Sequence, residues 1–218
     1  MFTDRREAGR LLAVQLNQFR AGRPLILALP RGGVPVGYEI AIALDAPLDV
    51  LVVQKLHAPG PAMLPMGTVV EGDPPESSVR QDVVDALGVP ESAISAECGR
   101  QIVEIGRRQR LYRGVRQRED IADCTAIVVD DGIATGETIR AAIRAVRRAN
   151  PRRLVVALPA APSEILRKLQ PEVDAMVCLV ALDDVVAINV LYHSYPPVSD
   201  ADVVELLHAA GSARRDTP

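Results

Sequence analysis

The stretch Thr125-Ala-Ile-Val-Val-Asp-Asp-Gly-Ile-Ala-Thr-Gly-Glu-Thr138 decides the fold of this chain. It opens with apolar, mostly β-branched residues, a pattern that predicts a buried strand. Two adjacent carboxylates, Asp130 and Asp131, stand where that strand should end, and a helical pattern begins at Ile139. Between the acids and the helix lies a short loop of small residues. The stretch therefore predicts a strand, a loop and a helix in direct succession.

This loop has the residue types that suit a sugar phosphate. Loop amides and the N-terminus of a helix can hold a phosphate dianion. Carboxylates can accept hydrogen bonds from sugar hydroxyls. The alternative is an ordinary connection between strand and helix with a threonine at the N-cap. The spacing from the paired acids to Thr135 and Thr138 favours the sugar phosphate site.

Residues Val128 to Thr138 closely resemble the phosphoribosyl-diphosphate binding motif of type I phosphoribosyltransferases, because the apolar run, the acid pair and the Thr-Gly-x-Thr loop match in order. The resemblance implies that Asp130 and Asp131 are catalytic and orient the ribose hydroxyls. It also implies a substrate-binding loop that comprises Gly132, Ala134, Thr135, Gly136, Glu137 and Thr138. Magnesium would be bound mainly through the substrate, without ligands from the protein.

A second loop, Pro30-Arg-Gly-Gly33, follows another predicted buried strand. Its glycines let the backbone approach an anion closely, and Arg31 offers paired donors to phosphate oxygens. Leu29 to Gly37 resembles the family loop that holds the departing diphosphate. A subgroup of small, mostly uncharacterised bacterial phosphoribosyltransferase-domain proteins shares this Leu-Pro-Arg-Gly-Gly segment. The resemblance implies a catalytic role for Arg31 and substrate binding by Gly32 and Gly33.

The chain departs from that subgroup after the next strand. Gln54 stands where the subgroup usually carries Arg, and Pro61–Pro65 lacks an expected Glu. Lys55 remains a candidate phosphate ligand, with a solvated lysine as the alternative. Ala134 stands where 6-oxopurine enzymes carry an Asp, which favours adenine-like, pyrimidine or unusual acceptors. The departures leave open a non-catalytic regulatory protein that binds a phosphoribosyl ligand on the same fold.

The rest of the chain repeats the alternation of strand and helix. Predicted helices cover 4–21, 34–44, 91–118, 138–149 and 163–169, and predicted strands cover 25–29, 48–53, 154–158 and 175–180. This order favours an α/β fold, with an open, mostly parallel sheet and helices on both faces. Ligands of such sheets bind beyond the carboxyl ends of the strands, where both loops lie.

The length of the chain suits one phosphoribosyltransferase-like domain, which we expect over 1–211. Within it, we expect 56–122 to form an insertion made of a mobile loop and a long helix. The loop includes Asp73–Ser78, whose composition is typical of turns. In the family, the corresponding insertion closes over the reaction.

We expect residues 182–210 to form a small C-terminal hood. Tyr192 or Tyr195 could stack there on an acceptor ring, and the favoured alternative is packing within the hood. Ser199 begins a predicted final helix as its N-cap. The last residues, 212–218, are expected to be disordered.

Composition narrows the class of protein further. With 218 residues, 48% of them apolar, and a net charge of −3, the chain is expected to be globular and gives no case for nucleic acid binding. No apolar run approaches the roughly 20 residues that span a membrane. The N-terminus lacks a secretory signal, and three separated cysteines indicate reduced thiols in the cytoplasm. The expected partners are phosphoribosyl diphosphate and a nucleobase-like molecule, and a homodimer is left open.

Overall fold

The computed structural model describes residues 1–60, 63–114, 116–183 and 187–215, and only the backbone of 214 and 215. The strands are β1 (Pro24–Ala28), β2 (Leu48–Val50), β3 (Val53–His57), β4 (Pro65–Val70), β5 (Glu76–Val79), β6 (Thr125–Val129), β7 (Arg153–Pro162) and β8 (Ala175–Leu182). The α-helices are α1 (Arg5–Leu16), α2 (Gly33–Leu44), α3 (Gln81–Leu87), α4 (Glu91–Arg113), α5 (Glu137–Arg148), α6 (Ser163–Leu169) and α7 (Asp200–Arg215).

The main sheet has five parallel strands in the order β2-β1-β6-β7-β8. Its central strands are buried on both faces, because successive side chains such as Ile127 and Val128 enter two separate apolar cores. Helices α1, α2 and α7 contribute to one core, and α5 and α6 contribute to the other. The predicted α/β fold with helices on both faces is therefore confirmed.

Several predicted boundaries need correction at the two ends of the chain. Helix α1 ends at Leu16, and a 3-10 helix, Asn17–Gly22, completes the predicted first helix. The predicted hood divides, because α7 packs into the main core beside α2, with Val203 and Leu207 buried. The term cap is used below for 187–199, the part that lies between β8 and α7.

The predicted disordered tail is also wrong in part. Helix α7 continues to Arg215. Residues 216–218 of that tail lie outside the described residues, as do 184–186 of the predicted hood and 61–62 in the stretch that departs from the subgroup. Among the helices that the structure describes, none is long and apolar enough to cross a lipid bilayer.

The predicted insertion contains a second, antiparallel sheet in the order β3-β4-β5. The predicted strand over 48–53 divides into β2 and β3, and the turn-like segment supplies β5, which pairs with β4. Helix α4 ends at Arg113 rather than at 118, because its C-cap, Gly114, has a positive φ of 56° that does not continue a helix. The expected long helix is present as α4, and the second sheet occupies part of the stretch where a loop was expected.

A buried ion cluster attaches α4 and the second sheet to the main sheet. Arg113 Nε lies 2.9 Å from Asp49 Oδ1, and Arg113 Nη2 lies 2.7 Å from Glu71 Oε1. All three side chains are buried. Asp49 belongs to β2, so the cluster fixes the second sheet next to the edge strand of the main sheet.

Candidate functional site

The two loops predicted to form the site meet at the carboxyl ends of adjacent strands. In the β1–β6 pair, Ala28 lies opposite Val129, so both strands end at the same level. The Leu29 amide donates a 2.8 Å hydrogen bond to the Val129 carbonyl. A Cβ atom at Gly33 would lie 2.7 Å from that carbonyl oxygen and 3.0 Å from Asp130 Cα. Only glycine therefore permits this close approach of the two backbones.

Asp131 is buried and is bound by side chains from both ends of the chain. Arg5 Nε and the Tyr195 hydroxyl each donate to Asp131 Oδ2 over 2.7 Å. The Tyr192 hydroxyl donates to the Asp131 backbone carbonyl over 2.6 Å. A Cβ atom at Gly32 would lie 2.1 Å from Oδ2, so the glycine loop encloses the same oxygen. The protein itself thus occupies the Oδ2 side of Asp131.

Asp130 has different surroundings although it is the next residue. It is partly exposed, and its Oδ1 accepts a 2.9 Å hydrogen bond from the Asp131 amide. Burial, followed by the negative charge of Asp131, raises the pKa of Asp130 well above its ordinary value of 3.8. Asp130 is therefore the less buried of the two acids and has an increased affinity for a proton.

The loop after the acids forms the N-terminus of α5. Gly132 and Gly136 have positive φ angles of 137° and 75°, and side chains there would collide with Ile188 and Ile165 respectively. Gly136 is the N-cap of α5, Thr135 is exposed, and Ala134 and Thr138 are half-buried. The first amides of a helix have no partner within it, so this loop offers donors and a positive dipole end to an anion.

Glu137 faces the second sheet. Arg80, which follows β5, donates from Nη1 to Glu137 Oε1 over 2.9 Å. A cavity of about 490 Å³ opens beside Thr135, Gly136 and Glu137. Its lining includes four cationic side chains, namely Arg80, Arg140, Arg144 and Lys168. The predicted substrate residue Glu137 is thus engaged in an ion pair between the start of α5 and the residue that follows the second sheet.

Two predicted site residues point elsewhere. The exposed side chain of Arg31 places Nη1 3.9 Å from Asp200 Oδ1, and Asp200 also accepts a 2.7 Å hydrogen bond from Tyr112. Lys55 is exposed on β3, in the second sheet. Among the described residues, Lys55 makes no hydrogen bond or ion pair with either loop. The structure therefore brings together the acids and the glycines, but not the Arg31 and Lys55 head groups.

Sequence reasoning did not find the partners of Asp131. Arg5 lies 126 positions away along the chain, and no local pattern connects the two residues. For Tyr192 and Tyr195, the sequence favours packing within the hood. Their rings do pack, with centroids 5.1 Å apart, and Tyr192 also lies 5.4 Å from the Phe2 ring. Their hydroxyls both serve Asp131, a role that no sequence pattern indicated.

Within the described ranges, no group of three or more His, Cys, Asp or Glu side chains is placed to hold a metal ion. Two adjacent carboxylates, one of which is bound to an arginine, do not form a cage for a hard cation. The site offers backbone amides to phosphates and carboxylate oxygens to hydroxyls, which is the chemistry of a sugar phosphate.

Comparison with known proteins agrees with this chemistry. A family model described as the phosphoribosyl transferase domain matches residues 4–195. Two Mycobacterium tuberculosis proteins, MT0597 and Rv0571c, whose names assign them provisionally to the phosphoribosyl transferases, are 37% identical over 210 residues. The alignment covers 96% of this chain and 47% of each relative, so the chain spans about half the length of these curated relatives.

A solved structure extends the likeness to three dimensions. The crystal structure of TT1426 from Thermus thermophilus matches with a TM-score of 0.78 at 36% identity. The match covers 95% of this chain and 97% of that one. Because the family model covers most of the residues and carries the same name as the curated relatives, the chain belongs to the phosphoribosyl transferase domain family.

Proposed function

We propose that this domain is a magnesium-dependent phosphoribosyltransferase. It transfers the 5-phosphoribosyl group from phosphoribosyl diphosphate to a nitrogen acceptor such as a nucleobase and releases diphosphate. The observation that carries the proposal is the backbone contact between the Gly33 loop and Asp130, with the N-terminus of α5 beside them. The Gly33 loop, Asp130 and the N-terminus of α5 then follow the order of the diphosphate, the ribose and the 5-phosphate in that substrate.

The loop after β1 would hold the diphosphate. The amides of Gly32 and Gly33 are donors placed where negative charge develops as the leaving group departs. Arg31 is tied to Asp200 only by a surface ion pair of 3.9 Å, and such pairs contribute little stability. The guanidinium can therefore turn to the diphosphate at small cost and add two parallel donors.

Asp130 would accept hydrogen bonds from the ribose hydroxyls and stabilise the positive charge that develops on the ring. The bond between the anomeric carbon and the diphosphate oxygen breaks, and its electron pair leaves with diphosphate. The lone pair of the acceptor nitrogen forms the new bond from the opposite face, and the displaced proton goes to water. Asp130 must be ionised for this role, so its raised pKa makes turnover increase with pH through that pKa.

The 5-phosphate would bind at the N-terminus of α5. The amides of Ala134 to Thr138 and the hydroxyls of Thr135 and Thr138 supply the donors, and the helix dipole favours the dianion. Magnesium, when it accompanies the substrate, neutralises charge on the diphosphate. The chain's own contribution is to fix the phosphate and the ribose relative to each other.

A second candidate function is non-catalytic binding of the same ligand by a regulatory protein. One observation favours it: Gln54 Nε2 is buried without a hydrogen-bond partner among the described residues. This residue stands where the resembling subgroup usually carries Arg. If the Arg of the subgroup contacts the transition state, its absence here would lower turnover more than ligand affinity.

Calorimetry with phosphoribosyl diphosphate and magnesium, followed by a nucleobase panel scored for diphosphate release, separates the two functions. The proposed enzyme binds the ligand and releases diphosphate with at least one acceptor. Ribose 5-phosphate is the matched control ligand and should bind more weakly, because it makes no contact with Gly32 and Gly33. Binding without any turnover would favour the regulatory protein, and no binding would reject both.

A further inference from the structure

Two side chains from opposite ends of the described chain hold the second acid of the motif. Arg5 is the first residue of α1, and Tyr195 lies in the cap. Both donate to Oδ2 of Asp131 over 2.7 Å. We infer that Arg5 and Tyr195 are positioning residues. They hold Asp131 Oδ2 in hydrogen bonds within the protein, so that Asp130 is the carboxylate that binds the ribose hydroxyls. The inference rests on the proposed function and gives the two acids different roles.

Arg5 and Tyr195 also fix each other. The Arg5 guanidinium lies 3.6 Å from the centre of the Tyr195 ring, at the distance of a cation–π contact. Arg5 Nη1 donates a further 2.8 Å hydrogen bond to the Pro196 carbonyl. Burial, followed by the charge of Asp131, raises the pKa of Tyr195 to about 12, so its hydroxyl remains protonated and donates at neutral pH. Neither donor can leave Asp131 without breaking other contacts.

The N-terminal residues bind the cap directly and so set the position of Arg5. The Phe2 amide donates to the Leu191 carbonyl, and the His193 amide donates to the Phe2 carbonyl, each over 2.8 Å. The Ser194 amide donates to the Thr3 carbonyl over 2.9 Å. These bonds form a short strap between the first residues and the cap. The strap holds the start of α1, and with it Arg5, next to the cap that carries Tyr195.

Asp131 Oδ2 already accepts two hydrogen bonds from the protein. Arg5 and Tyr195 occupy two directions around this oxygen, and a Cβ atom at Gly32 would come within 2.1 Å of it. The Asp131 side chain has about 10% of its surface exposed, whereas Asp130 is partly open. Asp130 is therefore the more accessible of the two carboxylates for the ribose hydroxyls.

The arrangement also couples Arg5 to Asp130. The charged or titratable groups that face Asp130 are Asp131 from the same loop, Arg5 from α1 and Tyr192 from the cap. Asp131 raises the pKa of Asp130, and Arg5 opposes that effect with its positive charge. Loss of the Arg5 charge should therefore raise the pKa of Asp130 further. A purely structural role for Arg5 would not predict this change.

The test compares Tyr195→Phe and Arg5→Gln with two matched controls. Arg6→Gln removes a neighbouring arginine whose ion pair with Glu39 is exposed, and Tyr38→Phe removes a hydroxyl from another half-buried tyrosine. Each variant is assayed for kcat and KM toward phosphoribosyl diphosphate between pH 5 and 9. Its folded fraction is measured at the assay temperature. Arg5→Lys tests whether a retained positive charge at this position preserves the wild-type pH profile.

We expect Tyr195→Phe to lower kcat/KM about tenfold, the order of a hydrogen bond to a charged group. Arg5→Gln should shift the acid limb of the kcat/KM profile to higher pH, and Arg5→Lys should restore that limb in part. The controls should stay within about twofold of wild type, as surface changes usually do. Folded variants that match the controls in both kcat/KM and acid limb would overturn the inference.

A second measurement tests the inference when a variant unfolds or when the wild type shows no turnover. Absence of wild-type turnover would reject the proposed enzyme but not the positioning of Asp131. Unfolding free energies are compared for Tyr195→Phe, Asp131→Asn and the double variant. Positioning of Asp131 by Tyr195 predicts non-additive effects, because the hydroxyl acts through the carboxylate. Additive effects would overturn it.

Discussion

Asp130 and Asp131 are neighbours in the chain, yet their carboxylates lie in opposite surroundings. Asp131 turns into the protein, where Arg5 and Tyr195 bind one oxygen and the glycine loop encloses it. Asp130 stays partly exposed and makes no hydrogen bond with either of these side chains, and its partial burial and the charge of Asp131 raise its pKa. The side chains of successive residues at a strand end point in different directions. A paired-acid motif can therefore combine one structural carboxylate with one for the substrate.

This comparison predicts its largest effect for Asp130→Asn. We expect diphosphate release to fall about 1000-fold, the order seen when one electrostatic group is removed from an active site. Release is measured in steady state at pH 8, with Asp85→Asn on exposed helix α3 as the control. Turnover within tenfold of wild type would show that Asp130 is not the acid that serves the ribose.

The same variant should gain stability at neutral pH. Because the folded pKa of Asp130 is above its ordinary value of 3.8, the folded state holds this proton over a wider pH range than the unfolded state. The free energy of unfolding of the wild type therefore falls as pH rises from the ordinary pKa to the raised pKa of Asp130. The amide in Asp130→Asn does not ionise, so the variant does not lose this stability. The difference should vanish near pH 3.8. Denaturation of both proteins across pH measures it.

Asp131→Asn should have the smaller effect on turnover and the opposite effect on stability. The change leaves Arg5 buried without its counter-ion, and breaking a buried ion pair costs about 3 kcal/mol or more. Urea denaturation at pH 7 measures this loss. A variant as stable as wild type would mean that Asp131 and Arg5 are not the fixed pair described here.

Sequence patterns predict much of the main sheet and little of the second sheet. Strand β6 ends at the predicted acids because an apolar run buried on both faces can be recognised without knowledge of its neighbours. Strand β5, Glu76–Val79, has three polar residues out of four and lies at a sheet edge, so only its pairing with β4 makes it a strand. The local sequence pattern of β5 does not reveal its pairing with β4.

The candidate site shows the same division. The glycines and the acids follow predicted strands, and parallel topology alone brings them together at one edge. The direction of the Arg31 side chain depends on Asp200, which is a distant residue in sequence. The partners of Asp131 are 126 and 64 positions away, at Arg5 and Tyr195. Such contacts follow from the complete fold and not from any motif.

The most direct test of the account is a crystal structure with phosphoribosyl diphosphate and magnesium. The account predicts ribose hydroxyls at hydrogen-bond distance from Asp130, diphosphate at the amides of Gly32 and Gly33, and Arg5 and Tyr195 still on Asp131 Oδ2. A ribose hydroxyl bound at Asp131 Oδ2 with Arg5 displaced would contradict the division of roles. A ligand that contacts neither Asp130 nor the amides of Gly32 and Gly33 would contradict the assignment of the site.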